Sequence, residues 1–270
     1  MQGASRLSLA AVTEQLDRQL SGAGDLGRTS DELFSVAGLL DREFALRRVL
    51  SDPSTQTDAR TSLLESLLGQ QITAGTLEIL RGVVAARWSR PPDLTDSIEQ
   101  LGRQTVFIEA ERAGVLDEVE DELFRFGRIL DREPALSNAL TDAAQPAPRR
   151  IELLDSLLAG KVHSETRRLL EHVVAAPRER SLDHVIDALS DQAASYRSRS
   201  IARVRSSVPM TPDQESRLAG SLRRIYGRNV VLQTEVDREL LGGLVVHIDD
   251  DVIDGSVLSR LDAARRRLTR

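Results

Sequence analysis

The sequence predicts a mainly α protein with a small α+β C-terminal domain, and three observations carry that prediction. Aromatic residues make up 3% of the 270 positions, so the core has to be built from Leu, Val, Ile and Ala, a composition that favours helices. Through the first 199 residues apolar side chains recur at three- and four-residue spacing, as at Leu33, Ala37, Leu40 and Phe44. After Arg199 the period changes to two. Ala202, Val204, Ser206 and Val208 alternate with Ile201, Arg203 and Arg205, the pattern of a strand with one wet face.

The helical part is internally repeated. D-E-L-F-S-V-A-G-L-L-D-R-E-F-A-L from Asp31 recurs as D-E-L-F-R-F-G-R-I-L-D-R-E-P-A-L from Asp121, with ten of sixteen positions identical. Composition alone gives about one. The register persists in Arg60-x-x-Leu63-Leu64-Glu65-Ser66-Leu67-Leu68 against Arg150-x-x-Leu153-Leu154-Asp155-Ser156-Leu157-Leu158, and in Val83-Val84-Ala85-Ala86 against Val173-Val174-Ala175-Ala176. Two copies are too few for a solenoid, so a duplicated helical bundle is expected. Asp52-Pro53, Pro91-Pro92, Pro146-x-Pro148 and Pro177 punctuate the helices, because the residue before proline avoids helix and proline suits a first turn. A long helix from about Pro92 to Ala113 closes the first copy and joins the second. The expected domains are residues 1–105, 106–199 and 200–270.

The last third reads as a β-α-β-β-α unit. Thr211-Pro212-Asp213-Gln214 combines a capping hydroxyl, a first-turn proline and a capping-box glutamine, which opens a helix to about Tyr226. Val230 to Glu235 reads as a second strand. Gly242-Gly243 supplies backbone angles closed to other residues and launches the β-branched run Leu244 to Ile248, which Asp249-Asp250-Asp251 breaks before Val252-Ile253 resumes. Ser256 to Arg270 reads as a closing helix, with Arg265, Arg266 and Arg267 complementing its dipole.

Composition excludes several classes of function. There is no cysteine, hence no disulfide, thiolate nucleophile or cysteine-ligated zinc. A net charge of -6 and few aromatic rings oppose nucleic-acid binding. The amino terminus lacks a signal-peptide pattern and no segment approaches a membrane-spanning length. Lys161 is the sole lysine among 36 basic residues, which reads as a coding bias toward arginine. His163, His172, His184 and His247 fall at spacings that do not stack on one helical face, and Gly160-Lys161 lacks the rest of a phosphate loop. The acidic stretch from Asp249 to Gly255 departs from calcium-loop order at Ile253 and reads as a solvated turn. The arginines at 197, 199, 203 and 205 read as wet positions, and Trp88, which has Arg178 at the equivalent place in the second copy, as packing. No catalytic residue, cofactor or metal site is expected.

V-D-R-E-L-L-G-G-L-V-V-H-I followed by V-I-D-G-S-V, in the order strand, T-P-D-Q helix, strand, hairpin and closing helix, resembles the carboxyl-terminal region of the bacterial F-type ATP synthase delta subunit family. Its mitochondrial relative is the oligomycin-sensitivity-conferring protein. The matching positions are Val236, Asp237, Leu241, Gly242, Gly243, Ile248, Ile253, Asp254 and Ser256. The second helical copy, from about Val106 to Arg199, resembles the family's helical bundle, with E-A-E-R-A-G-V-L-D-E-V-E-D-E-L-F fitting its opening helices. The first copy departs from the single bundle of most members and resembles the longer delta subunits of actinobacteria, in the form not fused to the membrane-anchored b subunit.

The resemblance implies a non-catalytic stator part, peripheral on the cytoplasmic face of the plasma membrane and membrane-associated only through its complex. It implies that the bundle at 106–199 binds amino-terminal segments of alpha subunits and that residues 200–270 engage the carboxyl-terminal region of the b subunit. Residues 1–105 are left an auxiliary bracing role. Nanomolar attachment needs about 12 kcal/mol. Exposed ion pairs contribute roughly 0–1 kcal/mol each, whereas buried apolar anchors contribute about 1.5–3 kcal/mol, so a helix laid in a groove is the expected mode. The alternative is a generic duplicated helical adaptor for amphipathic helices of other partners, which predicts no strand-rich C-terminal domain. A hydrolase using His163 or His184 is a third reading, set against the missing nucleophile motifs.

Overall fold

Helix ends in this protein are set by local capping chemistry, and the same chemistry is used twice. The computed structural model describes residues 1, 3–20, 24–177, 181–199, 201–226, 230–237, 240–248 and 251–257. Within them the first helices are α1 (Gly3–Leu20), α2 (Leu26–Arg42), α3 (Phe44–Ser51), α4 (Thr57–Leu68), α5 (Ala74–Ala85) and α6 (Pro91–Ala113). They are followed by α7 (Leu116–Arg132), α8 (Pro134–Thr141), α9 (Ala147–Leu158), α10 (Ser164–Ala175) and α11 (Leu182–Arg199). Every boundary of α2 to α5 recurs in α7 to α10 ninety residues later. The Asp25 side chain caps α2 by accepting from the Arg28 N–H, and Thr73 caps α5 by accepting from Thr76. Pro91 and Pro92 sit in the first turn of α6, and Gly114, at φ 75°, ends that helix in the left-handed conformation.

The core follows the apolar stripe with one correction. Leu33, Ala37 and Leu40 are buried, but Phe44 is 62% exposed, because α2 stops at Arg42 and Phe44 opens α3 beneath the Arg47 guanidinium, 5.0 Å from the ring centre. Trp88 is buried and its indole N–H donates to the Val83 carbonyl at 2.9 Å. Arg60 and Arg150, at equivalent positions, are both buried and both donate to backbone carbonyls, Arg60 also to the Thr57 hydroxyl at 3.3 Å. Arg60 reaches Leu50 at 3.3 Å, and Arg150 reaches Asp142, Gln145, Val174 and Ala175 at 2.7–3.2 Å.

α6 is buried along most of its length, from Asp93 to Ala110, as a helix at the centre of a bundle must be. It packs on α1, α2, α3 and α5 of the first copy and on α7 and α10 of the second. One helix therefore closes the first bundle and opens the second. Residues 1–193 form one compact unit and residues 194–270 another, and the position expected to divide the helical copies, 105/106, falls inside α6.

The second unit contains β1 (Ile201–Ser206), α12 (Pro212–Tyr226), β2 (Val231–Val236), β3 (Leu244–Ile248) and β4 (Asp251–Asp254). The sheet order is β2-β1-β3-β4, with β1 and β2 parallel and the other pairs antiparallel. The capping box closes as expected: Gln214 accepts from the Thr211 N–H at 2.9 Å while the Thr211 hydroxyl accepts from the Gln214 N–H at 3.3 Å. Leu222, with Leu218 beside it, covers one sheet face by packing on Ala202, Val204, Val246 and Ile248. Ser206 is buried as its register predicts, but Val208 is 64% exposed, because β1 ends at Ser206 and the alternation ends with it. Beyond Val257 the expected closing helix lies outside the described residues, as do Arg265, Arg266 and Arg267.

Candidate interaction surfaces

The glycine hairpin is a backbone device that brings distant parts of the sequence together. Gly242 (φ 151°) and Gly243 (φ 85°) take angles that side chains disfavour. A Cβ on Gly243 would stand 2.5 Å from the Gly255 carbonyl oxygen, and one on Gly242 would stand 2.9 Å from a Val257 methyl. The closeness is used: Val257 N–H donates to Gly242 O and Gly255 N–H to Leu244 O, each at 2.9 Å. Asp254 accepts from the Ser256 N–H at 2.9 Å, and these hydrogen bonds from Ser256 hold the Asp254 carboxyl below the usual aspartate range. Ser256 itself is buried.

The remaining signature positions divide between scaffold and surface. Ile248 is buried in the sheet core. Asp237 ties two strand ends together: its N–H donates to Ser206 O at 2.8 Å and its carboxylate accepts from Arg205 Nε at 3.0 Å. Val236 and Ile253 are exposed, and Leu241 is 79% exposed. Leu241, Val236 and Val208 flank the strand ends joined by Asp237 and Gly243, whose carbonyl accepts from the Ser207 N–H. A hydrogen-bonded backbone frame thus presents apolar side chains to solvent, which is the anatomy of a contact surface.

In the helical unit the two copies meet where α2, α6 and α10 converge. The Phe34 ring stacks on His172, with centroids 3.9 Å apart and planes 15° apart. Phe34 can reach there because Gly102 on α6 has no side chain; a Cβ at Gly102 would lie 2.7 Å from the ring. Glu99 lies 3.2 Å from His172 Nε2 and also pairs with Arg103. Arg168 bridges the copies, pairing with Asp31 and with Glu109. Burial pushes the Glu109 carboxyl up, and the Arg168 charge offsets only part of that.

A second feature repeats with the sequence. Glu32 accepts from the Thr73 N–H and hydroxyl at 2.9 and 2.8 Å, and Glu122, its counterpart, accepts from the His163 N–H and pairs with the His163 ring at 2.9 Å. Burial raises the Glu32 carboxyl, but hydrogen bonds from Thr76, Thr73 and Arg28 outweigh it and leave the group lowered. Glu122 also takes the Thr166 hydroxyl. These glutamates are missed when each copy is read for apolar spacing alone. The ninety-residue offset between Glu32/Thr73/Thr76 and Glu122/His163/Thr166 is the signal that finds them.

The four histidines are held apart in separate roles: the His163 ring pairs with Glu122, His172 stacks on Phe34, His184 lies on the surface near Asp183, and His247 sits in β3 opposite Arg203. Among the described residues no cluster of three His, Asp or Glu side chains could hold a metal.

Comparison with known proteins decides the family. The ATP synthase delta (OSCP) subunit profile matches residues 104–268, the second copy and the strand unit. The chain belongs to the ATP synthase delta (OSCP) subunit family. It is similar to ATP synthase subunit delta of Streptomyces avermitilis, 45% identical over 267 residues that cover 98% of each chain. It is also similar to that of Frankia alni, 45% identical over all of both chains, and of Thermobifida fusca, 41% identical over 99% of each. The likeness extends through the first copy, which the family profile leaves out, so the added bundle belongs to this long form of the subunit. As a delta (OSCP) subunit the chain is a non-catalytic stator part of ATP synthase's stalk. No helix among its described residues is long and apolar enough to cross a membrane. The adaptor reading, which required no strand-rich domain, fails on the four-stranded sheet.

Proposed function

We propose that this subunit holds the catalytic head to the peripheral stalk through two separate surfaces. Residues 106–199 grip amino-terminal segments of alpha subunits, residues 200–270 engage the carboxyl-terminal region of the b subunit, and residues 1–105 brace the second copy. The complex keeps the subunit at the cytoplasmic face of the plasma membrane, as a peripheral component. The observation that supports this reading is the exposed apolar set Val208, Val236 and Leu241 beside the strand ends held by the hydrogen bonds of Asp237 to Ser206 and of Ser207 to Gly243, in a separate unit from the helical copies. Apolar anchors of this kind contribute about 1.5–3 kcal/mol each when covered, enough in small number to resist detachment.

Deleting residues 1–105 would sever α6 in its middle, so truncation cannot test the assignment cleanly. Cross-linking within intact ATP synthase can. Lys161 is the only lysine, which calls for a carboxylate-reactive reagent. The reading expects links from 106–199 to alpha-subunit amino termini and from 200–270 to the b subunit; the reverse pattern would overturn it.

A further inference from the structure

We infer that the outer face of α3 is a docking patch for an acidic amphipathic helix of a neighbouring subunit in the ATP synthase. The inference needs only the chain's membership of that complex. It gives the first copy a contact of its own, beyond bracing the second.

Comparison of the two copies exposes the patch. α3 and α8 hold equivalent places, and their first seven residues share one order of burial: the first, second, fifth and sixth face solvent, the third and fourth are half-buried, and the seventh is buried. The inward positions keep their residues, Leu46 with Leu136 and Leu50 with Leu140. The open face does not. In α8 it is Pro134, Ala135, Asn138 and Ala139, whereas in α3 it is Phe44, Ala45, Arg48 and Val49. The same backbone thus presents small neutral side chains in one copy, and a ring, a branched apolar side chain and a cation in the other. Spacings of one and four residues set these side chains in a single stripe. α3 packs on α2, α4 and α6, and within the described residues Phe44 and Val49 remain 62% and 43% exposed. Covering such a stripe is favourable only against an apolar surface.

Charge selects the occupant. Arg47 lies over the Phe44 ring and is paired with Asp41, so its guanidinium steadies the ring. Arg48 stands within the apolar stripe, and its guanidinium makes no hydrogen bond or ion pair among the described residues. Asp52, one turn on, feels the Arg48 charge but spends its carboxylate on the N–H and hydroxyl of Ser54, at 2.9 and 2.7 Å. A helix with a carboxylate beside its own apolar stripe matches Phe44, Arg48 and Val49 together. The eight residues of α3 span about 12 Å at ~1.5 Å per residue, a two-turn contact suited to one crossing helix. A broad anionic surface, lipid or nucleic acid, would also meet the rest of residues 1–193, where 32 acidic side chains stand against 22 of Lys and Arg. A second copy of this chain fits poorly. Patch against patch sets Arg48 against Arg48, and patch against another face leaves a patch open on every chain, so that assembly propagates into filaments.

The test uses membranes stripped of this subunit, to which the full-length chain is added back. One form carries a photoreactive benzophenone side chain in place of the Phe44 ring. Two variants are compared with the parent: Phe44→Ala/Arg48→Asn/Val49→Ala, which gives α3 the small neutral face of α8, and Arg48→Glu. All these positions are exposed, and melting curves check that both variants stay folded. The photoreactive form should link to a segment of another ATP synthase subunit that carries Asp or Glu beside apolar residues at helical spacing. The triple variant should bind the membranes at least tenfold more weakly, and the loss caused by Arg48→Glu should shrink as salt is raised. Unchanged affinity in both variants overturns the patch, as does a link to lipid, to a second copy of the chain or to a segment without acidic residues. Links from residues 106–199 and 200–270 report on the head-and-stalk assignment separately, so either reading can fail while the other stands.

Discussion

Phe34 and Phe124 occupy the same position in the two copies, yet Phe34 is 8% exposed and Phe124 57% exposed. The difference is the partner: Phe34 lies on His172 and over Gly102, and the residue equivalent to Gly102 on α11 is Gln192. Phe34→Ala should therefore cost about 3–5 kcal/mol, the range for a buried ring. Phe124→Ala should stay within about 0.5 kcal/mol. Urea unfolding of the two variants checks this; equal losses would mean that the inter-copy joint does not hold the unit together.

His163 gives the second copy a pH dependence that the first lacks. Its hydrogen bond to Glu122 raises its pKa above the ordinary 6.5. The folded state then binds the proton more tightly than the unfolded one, so the stabilisation is fully present below pH 6.5 and is lost as pH rises through the raised value. The ring is partly exposed, which keeps the effect small. Thr73, at the equivalent place, caps α5 without titrating. His163→Thr should remove the dependence between pH 5.5 and 8 and, at pH 8, add about 0.5–1 kcal/mol through a hydroxyl cap. Melting temperature measured against pH decides it.

Gly243→Val should unfold or misplace the strand unit. The backbone angle alone costs about 1–2 kcal/mol for a residue with a side chain, and the Cβ would strike the Gly255 carbonyl. Amide exchange should rise in β3 and β4 while α2 to α10 stay protected, and stalk attachment should weaken. Retained protection in β3 with attachment selectively lost would instead make Gly243 a direct contact.

Arg150→Met should destabilise more than Arg60→Met. Arg150 satisfies carbonyls of four residues, Arg60 that of one, and each buried acceptor left bare costs about 1–3 kcal/mol. Denaturant midpoints for the pair are the measurement, and a reversed order would contradict the hydrogen-bond assignment.

Much of this architecture is legible in the residues, and the failures have physical causes. The repeat announces itself because the same core contacts need the same side chains, and the Thr211–Gln214 box because capping is local. Phe44 and Val208 mislead because periodicity does not show where an element stops: a break at Glu43 and the end of β1 at Ser206 turn both outward. That one long helix joins the copies is legible, but the burial of α6 by both of them is not, since a helix serving two bundles differs from one serving one only in being buried on more sides. Phe34 and Phe124 are alike in sequence context, and only the tertiary partner separates them. Of the surface positions, the glycine pair is readable as backbone chemistry, but the exposure of Leu241 beside the burial of Ser256 depends on how the hairpin closes.

The central claim is mechanical linkage, and reconstitution tests it most directly. Membranes stripped of this subunit should bind F1 poorly and fail at proton-driven ATP synthesis, and adding back the full chain should restore both. An intact, coupled ATP synthase that retains its head and makes ATP without the chain would contradict the account.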